Sequence, residues 1–294
     1  MDNDLYYVAL TAITLASIYG LLALGISIIW SSLGMINMAH GFTFAAAGFG
    51  GWLMAQHLTQ NGAAVILAGM LTGALIGVLI GAVAFIPLYD KPNFPLRSLI
   101  ATLAISLLGA QALLWVFGPR VKALPKVFGQ ENFQFGSAVV SADKLGVIGT
   151  SVLVLLATLI WARRSRRGLE IRAMMQNPEG AALVGIGLRS TAMSIMAVTG
   201  ALAGLAAILL AQTYYVSPYA GLTPLLKGMI VALAGGLGSI PGALIAAVLV
   251  GLVEALTAVT LGGQYVLITQ FGFIIVVLLI RPRGIAGILE QTRE

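Results

Sequence analysis

The stretch RRSRRGLEIRAMMQNPEGAALVGI, Arg163–Ile186, interrupts an apolar chain and thereby indicates its architecture. It packs five arginines into ten residues, whereas only 9% of the 294 residues are charged. Apolar runs at 145–162 and 189–212 flank it, each close to the ~20 residues that an α-helix needs to cross a bilayer. A basic loop between two such runs is typical of the cytoplasmic side of a membrane protein.

Apolar runs of spanning length recur along the whole chain, which is 59% hydrophobic. They predict an all-α, polytopic transmembrane helix bundle in a single domain, 1–294, with about eight spanning helices. The eight windows are 6–30, 35–56, 63–88, 98–118, 145–162, 189–212, 241–261 and 264–280. A ninth apolar piece runs into a cluster of helix-breaking glycines and a proline before it is long enough to cross. It predicts a glycine-broken or re-entrant segment near 225–242.

The basic residues in short loops predict the orientation, because cytoplasmic loops carry an excess of Lys and Arg. The charges agree with one another if the N-terminus is outside and the C-terminus is cytoplasmic. The loop at about 163–188 is then cytoplasmic, and the loop at about 119–144 is extracytoplasmic. Outside the arginine block, the residues that support this orientation are Lys91, Arg97, Arg281, Arg283 and Arg293.

Several classes of chemistry have no support in the sequence. The chain has no cysteine, so a thiolate metal site and a cysteine nucleophile are excluded. None of its lysines lies in the phosphate-binding pattern G-x-x-x-x-G-K-[ST], and His40 and His57 have no H-E-x-x-H context. We therefore expect neither a catalytic site, nor a metal site, nor an ATP site in this chain.

Polar residues inside the apolar runs are the candidates for function, because an unpartnered polar group is costly in a membrane. Asn37 and His40 are three residues apart, which predicts that they share one face of a helix. They could bond to neighbouring helices or line a solute pathway. Glu254 is the acidic residue deepest in a span; it could titrate or contact the solute, or it could pair with Lys227 on the broken segment.

Interrupted helices are the usual location of solute sites in helical transporters. The glycine-rich segments 34–51 and 235–242 are therefore predicted to lie near a pathway. The pathway candidates are Asn37, His40, Gly41, Gly235, Gly236, Gly238, Ser239 and Glu254.

Glycines spaced four residues apart predict close helix packing. Gly73, Gly77 and Gly81 form one such series, and Gly200 and Gly204 form another. This spacing lets two helix backbones approach each other in lipid, where the hydrophobic effect does not drive helices together.

The second half of the opening stretch has a different character from its arginines. After RRSRRG, the segment favours a helix, is interrupted at Asn177-Pro178, and then favours a second short helix with Pro178 as its first residue. Neither piece is long enough to span. Two short helices lying across a cytoplasmic loop predict a docking surface for a cytoplasmic partner.

Four motifs, in this order, resemble one family of membrane proteins. They are GMINMAHGFTFAAAGF (34–49), RAMMQNPEGAALVGI (172–186), ALAGGLGSIPGALIAA (232–247) and RPRGIAG (281–287). The chain resembles, over nearly its whole length, the permease subunits of ATP-binding-cassette importers for branched-chain and related hydrophobic amino acids or amides.

The resemblance implies a bacterial inner-membrane permease that performs no catalysis. It implies a second homologous permease, two cytoplasmic ATPases that bind ATP and Mg, and a periplasmic solute-binding protein. The loop that couples to the ATPase maps onto Arg172, Asn177, Pro178, Ala182, Leu183, Gly185 and Ile186. Urea-type permeases share the run NMAHG, so a urea or amide permease is the alternative within the family. A stand-alone secondary transporter or channel is the alternative from another class.

Overall fold

A computed structural model describes residues 2–129, 131–135 and 138–286 of the protein. The described part contains eleven α-helices and one antiparallel hairpin of two short strands. The elements are α1 (Asp2–Leu33), α2 (His40–His57), α3 (Gly62–Ile80), α4 (Phe94–Phe117), β1 (Asn132–Phe135), β2 (Ala138–Ser141), α5 (Ala142–Arg164), α6 (Arg166–Gln176), α7 (Pro178–Leu183), α8 (Leu188–Leu210), α9 (Leu222–Gly235), α10 (Ile240–Thr260) and α11 (Val266–Ile280). A π-helical turn, Gly81–Phe85, extends α3, and a 3-10 turn, Gly263–Tyr265, precedes α11.

The predicted class of fold, a polytopic helical membrane bundle, is confirmed. Seven of the described helices are long and apolar enough to cross a membrane. The remaining predicted window, 35–56, does not qualify as a span. Its helix α2 begins only at His40 and contains both histidines and several glycines. Most of α2 is buried among other helices, so it does not need an apolar surface facing lipid.

Helices α1 and α8 form the centre of the bundle. In α1, 83% of the apolar window is buried, and in α8, 67%. The corresponding share is 11% in α4 and 17% in both α5 and α11, so these helices lie at the periphery. Their exposed apolar side chains are suited to lipid or to another membrane chain.

The predicted close packing of glycines occurs between α3 and α8. A methyl group added at Gly73 would overlap the backbone carbonyl of Gly200, and one added at Gly77 would overlap that of Met196. Gly204 faces Gly69 in the same way. The two backbones therefore touch at three positions spaced four residues apart, as the glycine spacing predicts.

The predicted break near 225–242 is also confirmed. Helix α9 has only 14 residues, too few to cross a bilayer, and α10 begins after four non-helical residues. Gly236 and Gly238 have φ angles of 97° and 88°, a region that favours glycine. The Ser239 hydroxyl then caps α10 by accepting a hydrogen bond from the Gly242 amide at 3.2 Å.

The C-terminal segment closes this break. The Ile285 amide donates to the Ala234 carbonyl at 2.8 Å, and the Ala286 amide donates to the Gly235 carbonyl at 3.1 Å. The last carbonyls of α9 are thereby satisfied although the helix does not continue. Of the predicted cytoplasmic charges, Arg281 and Arg283 precede this segment, and Arg293 lies outside the described residues.

Candidate solute cavity and coupling surface

Four side chains from four helices meet around a buried ion pair. The Lys227 ammonium of α9 lies 2.6 Å from the Glu254 carboxylate of α10. The Tyr19 hydroxyl of α1 and the Gln270 amide of α11 each donate to the other Glu254 oxygen at 2.8 Å. Lys227 also donates to the Tyr19 oxygen at 3.0 Å. The four side chains are called the Glu254 cluster below.

The Lys227 and Glu254 charges of the Glu254 cluster can be buried because each one compensates the other. The side chains of Lys227 and Glu254 are 11% and 7% exposed, and an isolated charge at that depth would lose most of its hydration. Of the alternatives that the sequence left open for Glu254, the structure shows the pairing with Lys227. Sequence reasoning did not include Tyr19 or Gln270, whose distance along the chain gives no sign of the contact.

Replacement of Glu254 by Gln should destabilise the protein by about 3 kcal/mol, because it leaves the Lys227 ammonium buried without a counter-charge. We expect a lower melting temperature in detergent than that of the unmodified protein. The matched control is the double variant Lys227→Met/Glu254→Gln, which removes both charges and should recover most of the stability. Equal melting temperatures for Glu254→Gln and the unmodified protein would contradict the structural role.

A cavity with a volume of about 300 Å³ borders this cluster. Its walls come from α1, α2, the end of α8, the connection 211–221 and the start of α9. The lining residues are Tyr19, Phe44, Ala45, Gly48, Ala207, Leu210, Ala211, Tyr214, Tyr215, Val216, Ala220, Thr223, Pro224 and Lys227. Lys227 thus connects the ion pair to the cavity, whereas Glu254 lies behind it.

The cavity lies toward the end of the bundle that is opposite the two short helices. Helix α8 starts just after α7 and runs away from it, and the cavity is lined by the last turns of α8. Tyr214 and Tyr215, exposed by 55% and 64%, stand in the connection that follows. Burial, reinforced by the nearby Glu254 carboxylate, raises the pKa of Tyr214 above its ordinary value, so its hydroxyl stays protonated.

A smaller cavity, of about 60 Å³, lies between α1, the loop 34–39, α9 and Leu237, which follows α9. Its walls are almost entirely apolar, and Asn37 is one of its lining residues. The loop is held to α4, because the Met38 amide donates to the Thr102 hydroxyl at 3.1 Å and that hydroxyl donates to the Ile36 carbonyl at 3.2 Å.

The prediction that Asn37 and His40 share a helical face is wrong. Asn37 precedes α2, and its side chain accepts a hydrogen bond from the Ala39 amide at 3.0 Å, which forms a local turn before the helix begins. His40 is buried, and its Nε2 has no hydrogen-bond partner within the described ranges. It lines neither of the two cavities, and Gly41 beside it packs against the backbone of Gly221.

The remaining pathway candidates, Gly235, Gly236, Gly238 and Ser239, form the break itself and line neither of the two cavities. Gly235 packs against the backbone of Gly242, and the Gly238 amide donates to the Ser27 hydroxyl of α1 at 3.2 Å. Contact of any of the eight candidates with a solute therefore stays a prediction.

The opening stretch folds into two short helices, as predicted. The Ser165 hydroxyl caps α6, and the Asn177 side chain caps α7 by accepting from the Gly180 amide at 3.0 Å. Pro178 is the first residue of α7, where its missing amide hydrogen costs nothing. Arg172 is exposed and donates to the Arg163 carbonyl at 3.2 Å, which joins α6 to the end of α5.

The outer face of α7 presents exposed apolar side chains, although α7 is too short to be a membrane-spanning helix. Leu183 and Val184 are 89% and 78% exposed, and Ala182 is exposed beside them. Ala181 is buried and faces the bundle, while Ile186 packs against the core. Gly185 has a φ of 86°, which ends the helix in a conformation that favours glycine. Sequence reasoning missed Val184, because only the structure shows which side of this short helix is free.

The comparisons with known proteins identify the family. Residues 8–280 match the permease component of the branched-chain amino acid transport system. The chain belongs to this permease family. High-affinity branched-chain amino acid transport system permease protein LivH of Escherichia coli is 31% identical over 291 residues, covering 94% of this permease and 93% of LivH. BraD of Pseudomonas aeruginosa, which carries the same description, is 30% identical over 289 residues, with the same coverage.

Two further matches are weaker. Fructose import permease protein FrcC of Rhizobium meliloti is 36% identical to this permease over 134 residues, which is 42% of this chain and 35% of FrcC. In fold, the permease is similar to a chain of PsaBC from Streptococcus pneumoniae in complex with Fab, with a TM-score of 0.54. That match covers 95% of this permease and 92% of the other chain at 15% identity, so it shows the fold alone.

Proposed function

We propose that this permease is the membrane-spanning subunit of an ATP-binding-cassette importer for branched-chain or other hydrophobic amino acids. The observation that carries the proposal is the similarity to LivH and BraD over 94% of the chain. The apolar cavity with a cationic edge at Lys227 supports the same class of solute, since ligand sites are mostly apolar with few polar groups.

The assembly would contain a second homologous permease, two cytoplasmic ATPases and a periplasmic solute-binding protein. ATP and Mg would bind to the ATPases, because this chain lacks a phosphate-binding loop. The exposed Leu183 and Val184 support contact between α7 and a cytoplasmic subunit, since apolar groups of this size are usually covered in the working assembly.

The placement in the membrane follows from the charges and from the direction of the helices. With the arginine block at the end of α5 in the cytoplasm of a bacterium, α8 runs outward and the 300 Å³ cavity faces the periplasm. The N-terminus of α1 is then outside and the C-terminus inside, in the inner membrane.

Alternating access would follow from movement of α6 and α7 when the ATPases close. Helix α7 packs against α6, α6 packs against α1, α5 and α8, and α1 carries Tyr19 of the Glu254 cluster. A shift at the coupling surface therefore has a direct path of packed helices to the cavity. Rigid-body movement of packed helices is a common way of opening a site to alternate sides.

The direct test is uptake into proteoliposomes that contain the complete assembly and its binding protein. We expect ATP-dependent uptake of radiolabelled leucine, isoleucine or valine. If urea or a small amide is the effective competitor in the uptake assay and these amino acids are not, the alternative within the family, a urea or amide permease, is favoured. Uptake driven by an ion gradient without ATPases would contradict the importer.

Purified permease without its partners should neither bind nor hydrolyse ATP, because it lacks a phosphate-binding loop. Fluorescent-nucleotide titration measures binding, and phosphate release measures hydrolysis. Addition of the cognate ATPases should give ATP hydrolysis. The solute-loaded binding protein should stimulate this hydrolysis. Micromolar nucleotide affinity of the isolated chain would contradict the assignment of ATP to the partners.

A further inference from the structure

The Lys227 ammonium has one hydrogen-bond donor that the Glu254 cluster does not use. An ammonium group carries three N–H donors and no acceptor. Among the described contacts, one donor goes to the Glu254 carboxylate at 2.6 Å and one to the Tyr19 oxygen at 3.0 Å. Since Lys227 also lines the 300 Å³ cavity, the third donor is available to a group inside it.

Of the other cluster members, Glu254 and Gln270 do not line the cavity, and the Tyr19 hydroxyl is already hydrogen-bonded. The Tyr19 hydroxyl donates its hydrogen to Glu254 and accepts from Lys227. Glu254 is not a lining residue, and none of the residues around the cavity is acidic. A solute in the cavity therefore meets a buried cation without meeting a carboxylate.

The rest of the wall is suited to an apolar group of moderate size. Phe44, Ala207 and Leu210 present carbon atoms to the cavity, with Val216 and Pro224 nearby. The exposed rings of Tyr214 and Tyr215 stand at the end that faces away from the short helices.

We propose that this cavity is a solute-binding site in which Lys227 binds a carboxylate and the wall beside Phe44 and Leu210 binds an aliphatic side chain. The proposal rests on the proposed function and names a site for it within the membrane. The α-ammonium of the amino acid lies toward Tyr214 and Tyr215, whose ring faces attract cations. Glu254 is a positioning residue, because it holds Lys227 charged and oriented without touching the solute.

The proposed site predicts that the carboxylate of an amino acid contributes more to binding than its ammonium group does. The contact between the carboxylate and Lys227 is a charge-assisted hydrogen bond, a class about twice as strong as neutral ones, so it should dominate over the contacts of the ammonium with the tyrosine rings. An aliphatic acid without an amine should bind, whereas the aliphatic amine without an acid should not. A neutral amide should bind more weakly than the acid.

The test uses the permease pair in nanodiscs without binding protein, with 4-methylpentanoate and 3-methylbutylamine as probes in ligand-observed NMR. We expect saturation transfer to the acid and none to the amine. The charge variant is Lys227→Met/Glu254→Gln, which removes both charges together, and the control is Gly149→Leu on α5, which lies outside the cluster and does not line the cavity. The double variant should weaken binding of the acid at least about tenfold, or about 1.4 kcal/mol, and the control should stay within about threefold.

A third variant, Ala220→Trp, keeps every charge and fills part of the cavity from the connection 211–221. It should abolish binding of the acid, and it keeps the test informative if a charge variant fails to fold. Unchanged acid binding in the double variant or in Ala220→Trp would overturn the proposal, as would binding of the amine instead. Leucine uptake by the unmodified assembly is measured in parallel, because its absence would refute the proposed function and leave the acid-binding result as a separate outcome.

Discussion

Ala182→Arg is expected to abolish solute uptake while the permease still inserts and folds. Ala182 is exposed on the outer face of α7, beside the apolar side chains of Leu183 and Val184. If a cytoplasmic ATPase covers this face, the new guanidinium is buried in the contact without a partner, at a cost of about 2–5 kcal/mol. Because Ala182 contacts solvent in the isolated chain, the same change should leave the melting temperature nearly unaltered.

The measurement is co-purification of the ATPase with each variant, together with uptake in membrane vesicles. Ala182→Ser is the matched control, since it adds a polar group without a charge or much volume. Single Arg→Gln changes at Arg163, Arg164, Arg166 and Arg167 should be nearly silent, because each arginine contributes about 1 kcal/mol of attraction to anionic lipid. If the Ala182→Arg variant still co-purifies with the ATPase and still takes up solute, α7 is not the docking surface.

Gly185 is a less suitable position for this test than the sequence suggests. Its φ of 86° is unfavourable for any residue with a side chain, so Gly185→Trp would strain the end of α7 as well as obstruct a partner. Loss of coupling in that variant would then have two explanations. Ala182 lies in regular helix, so a substitution there tests docking without straining the backbone.

Gly200→Leu is expected to prevent accumulation of folded permease. Even a methyl group at Gly200 would overlap the backbone carbonyl of Gly73, so the central helix α8 would have to separate from α3. Backbone atoms cannot move aside as a flexible side chain does, and overpacking of this kind belongs to the rare substitutions that cost more than about 4 kcal/mol. The expected result is loss of the monodisperse peak in fluorescence-detected size-exclusion chromatography.

Gly149→Leu is the matched control, because Gly149 is a helical glycine on α5 and a side-chain atom there would meet nothing within 4 Å. It should leave the chromatographic peak in place. A normal peak for Gly200→Leu would show that α3 and α8 do not pack backbone to backbone in the membrane.

Several features of this permease were determined by its sequence alone. The lengths of the apolar runs predicted the membrane bundle, and the glycines with Pro241 predicted the break between α9 and α10. The Asn177-Pro178 pair predicted the boundary between α6 and α7. Each of these signals acts over one helical turn or one membrane thickness, a range within which neighbouring residues decide the conformation.

The tertiary structure alone decided which side chains meet. Tyr19 and Glu254 are 235 positions apart in the chain, yet they lie 2.8 Å from each other because α1 packs against α10 with one particular rotation. The same packing turns Lys227 toward a cavity. It also buries Ala181 while leaving Ala182 free, and it covers α2, which the hydropathy windows treated as an ordinary span. Helix rotation and depth depend on contacts between distant segments, and a periodic pattern in one helix does not specify its partner.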